Sequence, residues 1–411
     1  MSDIVVVGAG VSGVHLALLL QQKGVPVTLM SDRTPDQIAS GRLPNSVAHH
    51  AVTIERERSL GVDHWPTDEF GYTCHYHYVG IPDNPLFYRG DFVAPSRAVD
   101  YRIYLPRLLQ DFTDRGGDLR IDTVEPDGFE ALSEKHDLVV VSSGKASTGE
   151  FFGVRADKSP YPAPMRRLAV GLWTGVVPRE PQGVTLSLAL GHGELIAIPI
   201  LSQQGPATAL LFENIPGGDL EVLASTPAGD DPVAYRQLVL DKLRVHHPTV
   251  FEQIDEADFA LTGPDDMLQG AVTPVMRNDF VELGNGKIAL AMGDVHNTVD
   301  PVIGQGANSA SYSAQVVADT IAEATSFGAA FGMLVAERRR ERIEAVNDWT
   351  NAMIGLPPAD HLPQLLGAMS QSKSLADEFT QNFNDPVAQW KRLSTPESTF
   401  EWIGHHAPVA S

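Results

Sequence analysis

Four consecutive β-branched residues, Ile4–Val7, open the hydrophobic pattern of the chain. An apolar run of that length without polar alternation predicts a strand buried on both faces, as in a parallel sheet. It leads directly into Gly8-Ala9-Gly10-Val11-Ser12-Gly13. A helical stretch, Val14 to Lys23, follows and stops at Gly24, a residue suited to the position after a helix. Val25–Met30 reads as a second strand. The start of the chain is therefore a strand–turn–helix–strand unit.

Further along, the pattern predicts a helix over Ser96–Arg115, closed by Gly116-Gly117, and a buried strand over Asp137–Val141. From Ala169 to Asn214 the texture changes to strands separated by turn signals (AVGLWTGVV, VTLSLAL, ELIAIPI, TALLFEN), which suggests a separate antiparallel sheet. Asp231–Val245 reads as helix, and Gly270–Met276 and Ile288–Met292 as strand. Beyond Gly304 only helical patterns remain, including the charged Ala336–Met353, and the tail Ser374–Ser411 is expected to pack on the surface. The expected fold class is α/β. Residues 1–165 and 265–330 would build a doubly wound, Rossmann-like domain, with part of 45–95 lining the substrate side. A β-rich substrate domain, 166–264, is inserted, and a helical C-terminal region, 331–411, follows.

Composition narrows the function classes. The chain has 411 residues with a formal net charge of −22. So acidic a chain is a poor partner for nucleic acid or an anionic membrane, because both require a cationic face. A single cysteine, Cys74, excludes an intramolecular disulfide and any cysteine-built metal site. It reads as a small buried hydrophobe. The apolar stretch Ile4–Leu20 has no Lys or Arg before it and is broken by glycines, unlike a secretion signal. The expectation is a cytoplasmic protein.

Two segments carry candidate chemistry. In Gly8-x-Gly10-x-x-Gly13, the first glycine permits a tight turn, the second lets a pyrophosphate approach the backbone, and the third lets helix and strand pack closely. The helix N-terminus then presents N–H groups to phosphate. The ribose-binding acid should close the second strand; Asp32, followed by Arg33, stands about one residue late for it. Near the other end, Gly293-Asp294 is followed by Asp300-Pro301-x-x-Gly304-Gln305-Gly306-Ala307-Asn308, opening a helix. Asp294 could bond a ribityl hydroxyl, and the helix N-terminus suits the anionic N1–C2=O edge of a reduced flavin.

The pairing of these segments resembles the FAD-dependent aromatic hydroxylase superfamily, the fold of p-hydroxybenzoate hydroxylase. Several blocks are similar to the styrene and indole monooxygenase family in particular. They are Arg42-Leu43-Pro44-Asn45-Ser46-Val47-Ala48-His49, Trp65-Pro66, Glu69-Phe70-Gly71-Tyr72, Ala94 to Arg102, Gly191 to Leu195, and Asp377-Glu378-Phe379-Thr380-x-Asn382-Phe383-Asn384. They run from end to end of the chain. The resemblance departs from self-sufficient hydroxylases at Ser142-Ser143-Gly144-Lys145, where those enzymes usually carry an Asp-Gly pair linked to pyridine-nucleotide handling. With no second GxGxxG, the sequence offers one dinucleotide site and no evident nicotinamide site.

The resemblance implies the oxygenase component of a two-component monooxygenase. It would take FAD as FADH2 from a separate NADH-dependent flavin reductase, either docked or through free FADH2. With O2 it would epoxidise a small apolar aromatic alkene such as styrene, or the indole C2–C3 bond, through a flavin C4a-hydroperoxide. The flavin carries the difficult chemistry, so no acid–base dyad is required. The implied cofactor-binding residues are Gly8, Gly10, Ser12, Gly13, Asp32, Arg33, Arg42, Arg97, Gly293, Asp294, Pro301, Gly304, Gln305, Gly306, Ala307 and Asn308. Arg97 is expected to head a helix and reach the flavin or its pyrophosphate. Asn45 and Ser46 are the candidate catalytic polar groups, and Leu43, Val47, Tyr72, His75, Ile198 and Leu211 the candidate pocket. No metal is expected, although His75 and His77 share a strand face; histidines satisfied within a sheet are the better reading. His246-His247, His405-His406 and the Arg338–Arg342 run read as surface. The competing functions are a self-sufficient NAD(P)H-dependent aromatic hydroxylase and a non-catalytic flavin-binding protein. Choice of styrene or indole and formation of a homodimer stay open.

Overall fold

The computed structural model describes residues 3–45, 48–144 and 146–406. Ile4–Val7 is a strand with all four residues buried, and it pairs in parallel with Val27–Ser31 on one side and Leu138–Val141 on the other. The sheet has six strands in the order Phe280–Glu282, Ile288–Ala291, Leu138–Val141, Ile4–Val7, Val27–Ser31, Asp118–Ile121. All neighbours are parallel except the first pair. Continuous apolar strands need both faces covered. The helices Val11–Gln22 and Gly306–Glu323 lie against each other and supply much of one apolar layer, in a cluster with Ile4, Val6, Leu138 and Leu290. Gly13 sits where that packing is tightest: a Cβ there would lie 1.9 Å from the Gly8 carbonyl oxygen.

The second sheet is larger than the sequence pattern indicates. Eight strands run in the order Met267–Gly270, Arg167–Trp173, Gly205–Asn214, Gly193–Ser202, Gly183–Ala189, Gly71–Val79, Leu86–Ala98, Ala48–His49. The strands expected between 169 and 214 are there, but they are joined by three from before residue 100 and one after residue 266. The β-rich unit is therefore not confined to 166–264. Gly71–Val79 runs parallel to Gly183–Ala189, and the other neighbours are antiparallel. The helix expected from Ser96 begins at Tyr101, because Ser96–Ala98 still pair as strand with Gly71–Tyr72 and Ala48–His49. Asp100 caps the helix by accepting from the Arg102 N–H at 2.8 Å. The segment expected as one strand over Gly270–Met276 divides: Met267–Gly270 joins the large sheet, and Val275–Met276 pairs with Asn297–Thr298.

The C-terminal helices are not a surface appendage. Leu375 and Trp402 are fully buried and pack, with Phe379 and Phe383, against Ile198, Ile200 and Leu211 of the large sheet. The Arg338–Arg342 run is exposed at Arg338, Arg340 and Glu341, as expected of a solvated face, but not at Arg339. Arg339 is fully buried, donating to the Asp279 carboxylate at 2.7 Å and the Ala291 carbonyl at 2.8 Å. His247 is also buried, bonded to Ser187 Oγ at 2.7 Å. Cys74 is buried and unpaired. No helix among the described residues is long and apolar enough to cross a membrane.

Candidate active site

A cleft of about 760 Å³ lies between the two sheets. Its parallel-sheet end is formed by Gly8–Ser12, Asp32 and Arg33 at the end of the second strand, Ser142–Gly144, Gly293-Asp294, and the loop Pro301–Gly304 with Gly306 and Ala307. Both helices that begin here, Val11–Gln22 and Gly306–Glu323, have no acidic residue in the first turn and no side-chain cap. Their unpaired N–H groups and positive dipole ends therefore open on the cleft, where an anionic ligand would satisfy them. A Cβ on Gly10 would meet no atom within 4 Å, so the backbone here is bare toward the open space. Ser142, at the place where an acid was missed, donates through Oγ to the Gly8 carbonyl at 2.9 Å and so fixes the glycine turn. Asp294 opens onto the cleft, yet protein surrounds it. Burial raises its pKa, with Arg277 opposing.

The opposite end is made by the large sheet: Tyr72 and His75 from one strand, Ile198 and Leu211 from two others, with Val170, Val184 and Leu186 beside them. His50 and Phe383 complete this wall. Burial pushes the His50 imidazole down to about 3 and His75 well below its usual range, while the Tyr72 hydroxyl is pushed up. All three are neutral near pH 7. Among the described residues, His50 Nε2 and His75 Nδ1 have no hydrogen-bond partner. The pocket is therefore aromatic and aliphatic, and the described residues place no charged base or carboxylate-binding cation on this wall. Among the described residues no group of three or more His, Cys, Asp or Glu could hold a metal ion. His77, behind His75, is stacked on Tyr88 with ring centroids 4.9 Å apart.

Most of the expected site residues meet in this cleft, Asn45 among them at an exposed position. Ser46 and Val47 lie outside the described residues, as does Lys145. Six others, Arg97 among them, are placed elsewhere. Arg42 is exposed and away from the lining. Leu43 is buried in the core of the large sheet. Gly13 lies beneath the turn rather than on its surface. Asn308 bonds back to the chain: its Oδ1 accepts from the His50 N–H at 3.0 Å and the Thr53 hydroxyl at 2.7 Å, and its Nδ2 donates to the Ala48 carbonyl at 2.9 Å. Gln305 is fully buried and donates to the Phe383 carbonyl.

Arg97 requires a correction. It neither heads a helix nor lines the cleft. It is a strand residue, 1% exposed, whose guanidinium bonds Glu57, Asp63 and the Trp65 carbonyl. Glu57 in turn accepts from Tyr104 at 2.7 Å and pairs with His49 at 2.6 Å. Burial raises the Glu57 pKa, but His49 and Arg97 outweigh it and hold the carboxylate at about 2. One link from this cluster to the cleft is Tyr101, whose hydroxyl meets His49 Nε2 at 3.0 Å and which lines the wall. Among the site residues that sequence reasoning missed, beside Tyr101, Val170, Val184 and Leu186, are His50 and Phe383. Each stands in or next to a block shared with the resembled family, the only signal that could have found them.

Two styrene monooxygenases, StyA of Pseudomonas fluorescens and StyA of a Pseudomonas species, are each 47% identical to this chain over 409 residues, covering 98% of both chains. The chain belongs to the styrene monooxygenase family. Residues 144–253 match the family described as styrene monooxygenase A putative substrate binding domain. The fold is shared more widely. A flavin-dependent brominase superposes with a TM-score of 0.69 at 17% identity, covering 99% of this chain and all of its own. PqsL of Pseudomonas aeruginosa, a probable FAD-dependent monooxygenase, superposes with a TM-score of 0.58 at 17% identity, covering 96% of this chain and all of its own. Styrene monooxygenases are FAD-dependent, and the cleft fits FAD: bare backbone at Gly10 and two uncapped helix N-termini suit its pyrophosphate and ring edge, and Asp32 and Asp294 offer acceptors for its hydroxyls.

Proposed function

We propose that this protein is the oxygenase component of a two-component system and epoxidises styrene-like alkenes or the C2–C3 bond of indole. The observation that carries the reading is the joining, in one cleft, of an anion-binding backbone end to a neutral aromatic end. Gly8–Ser12 and the start of helix Gly306–Glu323 would hold FAD, with Asp32 beside the ribose and Asp294 beside the ribityl chain. Bound FADH2 supplies the two electrons that reduce one oxygen atom of O2 to water while the other enters the alkene.

The chain's own residues perform the remaining tasks. Val170, Val184, Leu186, Ile198 and Leu211 exclude water and hold an apolar ring by burial. Neutral His50 and His75 offer hydrogen bonds without acting as bases toward a phenol, which suits addition of oxygen across a double bond. Asn45, at the mouth of the cleft, can donate and accept. Ser142 occupies the place where an acid would accompany direct use of a nicotinamide, so reducing equivalents come from a separate flavin reductase. FADH2 reaches the site by diffusion or from a docked reductase.

The test is reconstitution. The purified protein with FAD and NADH should stay oxidised. Adding a flavin reductase, O2 and styrene should give styrene oxide. Reduction of the bound flavin by NADH alone would overturn the two-component reading, and absence of epoxide with FADH2 supplied would overturn the oxygenase reading.

A further inference from the structure

The turn between helices Lys373–Gln381 and Pro386–Leu393 inserts Phe383 into the cleft wall. Its ring meets His75 edge-on with centroids 4.6 Å apart and 87° between planes, and His50 at 5.6 Å and 68°. Behind it stands the fully buried Trp349, at 5.0 Å and 76°. Edge-to-face contacts of this kind fix a ring more narrowly than apolar burial alone.

Three separate elements tether the turn. Gln305, between Gly304 and Gly306 of the flavin-side loop, donates from Nε2 to the Phe383 carbonyl at 2.8 Å, and this bond is buried. Asn384 Oδ1 accepts from the Val52 N–H at 3.2 Å. The Arg342 guanidinium donates to the Asn384 carbonyl at 3.3 Å. The wall of the apolar end is thus tied directly to the loop that lines the cofactor end. A ring set against rigid tryptophan, with its main chain tied to that loop, fixes how much space a substrate finds beside the flavin.

We propose that Phe383 is the specificity-determining residue that limits the size of the alkene, and that Gln305 is the positioning residue that holds it there. The inference rests on the oxygenase reading and deepens it. Removing ring volume should admit a two-ring alkene in preference to a one-ring alkene. Breaking the Gln305 tether should shift selectivity in the same direction by letting the ring withdraw.

The experiment compares the FAD-loaded wild type with Phe383→Leu, Phe383→Ala and Gln305→Glu, using styrene and 2-vinylnaphthalene. Two readouts are taken: binding of each alkene by tryptophan fluorescence, which needs no turnover, and the ratio of kcat/KM values with supplied FADH2. Phe383→Ala should move both ratios toward the naphthyl alkene by about tenfold or more, with Phe383→Leu intermediate. Gln305→Glu, which loses the donor and faces a carbonyl with a carboxylate, should shift the ratios the same way by a smaller factor. A Gln305 role confined to stability would lower the melting temperature and leave the ratios in place. Unchanged ratios in folded Phe383→Leu and Phe383→Ala, or failure of styrene to bind the wild type, would overturn the proposal. A shifted binding ratio without epoxide from any variant would sink the oxygenase reading and leave the size limit standing.

Discussion

At the cofactor end of the cleft the glycines Gly8, Gly10, Gly304 and Gly306 bring main chain to the surface, whereas at the substrate end the surface is side chain, from Tyr72, His75, Ile198, Leu211 and Phe383. The first end recognises charge and hydroxyls through N–H groups whose positions follow from the turn. The second recognises shape through side chains delivered by strands and helices that are far apart in sequence. A main-chain site tolerates almost no added atoms and is indifferent to side-chain identity nearby. A side-chain site tolerates exchange and answers with altered selectivity. Variants at the two ends should therefore fail differently.

The largest effect is expected away from both ends, at Arg97. Replacing it by Met leaves Glu57 buried without its cation, and breaking such a pair costs about 3–5 kcal/mol of stability. Thermal or urea unfolding checks this, and the fraction still folded should bind FAD normally. Weak FAD binding by folded Arg97→Met would restore Arg97 to the cofactor site. A pH signature accompanies it. Folded Glu57 titrates near 2, below its usual carboxylate range, so its stabilising contribution is complete above about pH 4.5 and is lost as pH falls toward 2. In Arg97→Met the folded pKa of Glu57 rises, so that acid loss should shrink and finish at higher pH.

Next comes Gly13→Ala. The added Cβ collides with the Gly8 carbonyl, so the turn must move, at a cost of about 1–3 kcal/mol. FAD affinity should fall by about one to two orders of magnitude, while styrene binding measured by fluorescence holds. Loss of both together would show that the two ends are not separable. Asn45→Ala, at the cleft mouth, should keep FAD binding and raise hydrogen peroxide formed per epoxide, because a lost hydrogen bond of about 1–3 kcal/mol weakens control of the reactive step. Normal coupling combined with a lower melting temperature would make Asn45 a turn residue only. The smallest effect is expected for Ile198→Val, where loss of one methylene is worth about 1 kcal/mol. The KM for styrene should rise about fivefold with no change in FAD affinity; a change in FAD affinity would blur the comparison.

The same contrast explains what could be read from the sequence. The turn Gly8–Gly13 and the loop Pro301–Ala307 are local, and glycine spacing reports backbone geometry directly. Val5 to Val7 and Leu138 to Val141 announce a buried parallel sheet because nothing polar interrupts them. The role of Arg97 was hidden because it depends on Glu57 and Asp63, which the fold alone brings to it. Its strand reads as a helix start until Ala48–His49 is known to pair with it. Phe383 looks like one more apolar residue of an amphipathic tail, and its turn takes its place in the wall through residues distant in sequence, Gln305, 78 positions earlier, among them. The width of the large sheet was hidden for a related reason. A parallel pairing such as Gly71–Val79 with Gly183–Ala189 needs a long crossover, and the intervening residues build part of the other sheet.

That pairing bears on how the protein can be taken apart. The matched segment 144–253 contains four adjacent strands of the large sheet, Arg167–Trp173 through Gly183–Ala189. Excised, it would expose two raw edges, one where Met267–Gly270 lies and one where Gly71–Val79 lies, and unpaired strand edges invite self-association. Half of the apolar wall, including Tyr72, His75 and Phe383, would stay behind. A chimera that exchanges only 144–253 between two family members should therefore inherit the selectivity of neither parent, and a transferable module must carry residues 48–98, 267–270 and the 382–384 turn along with it.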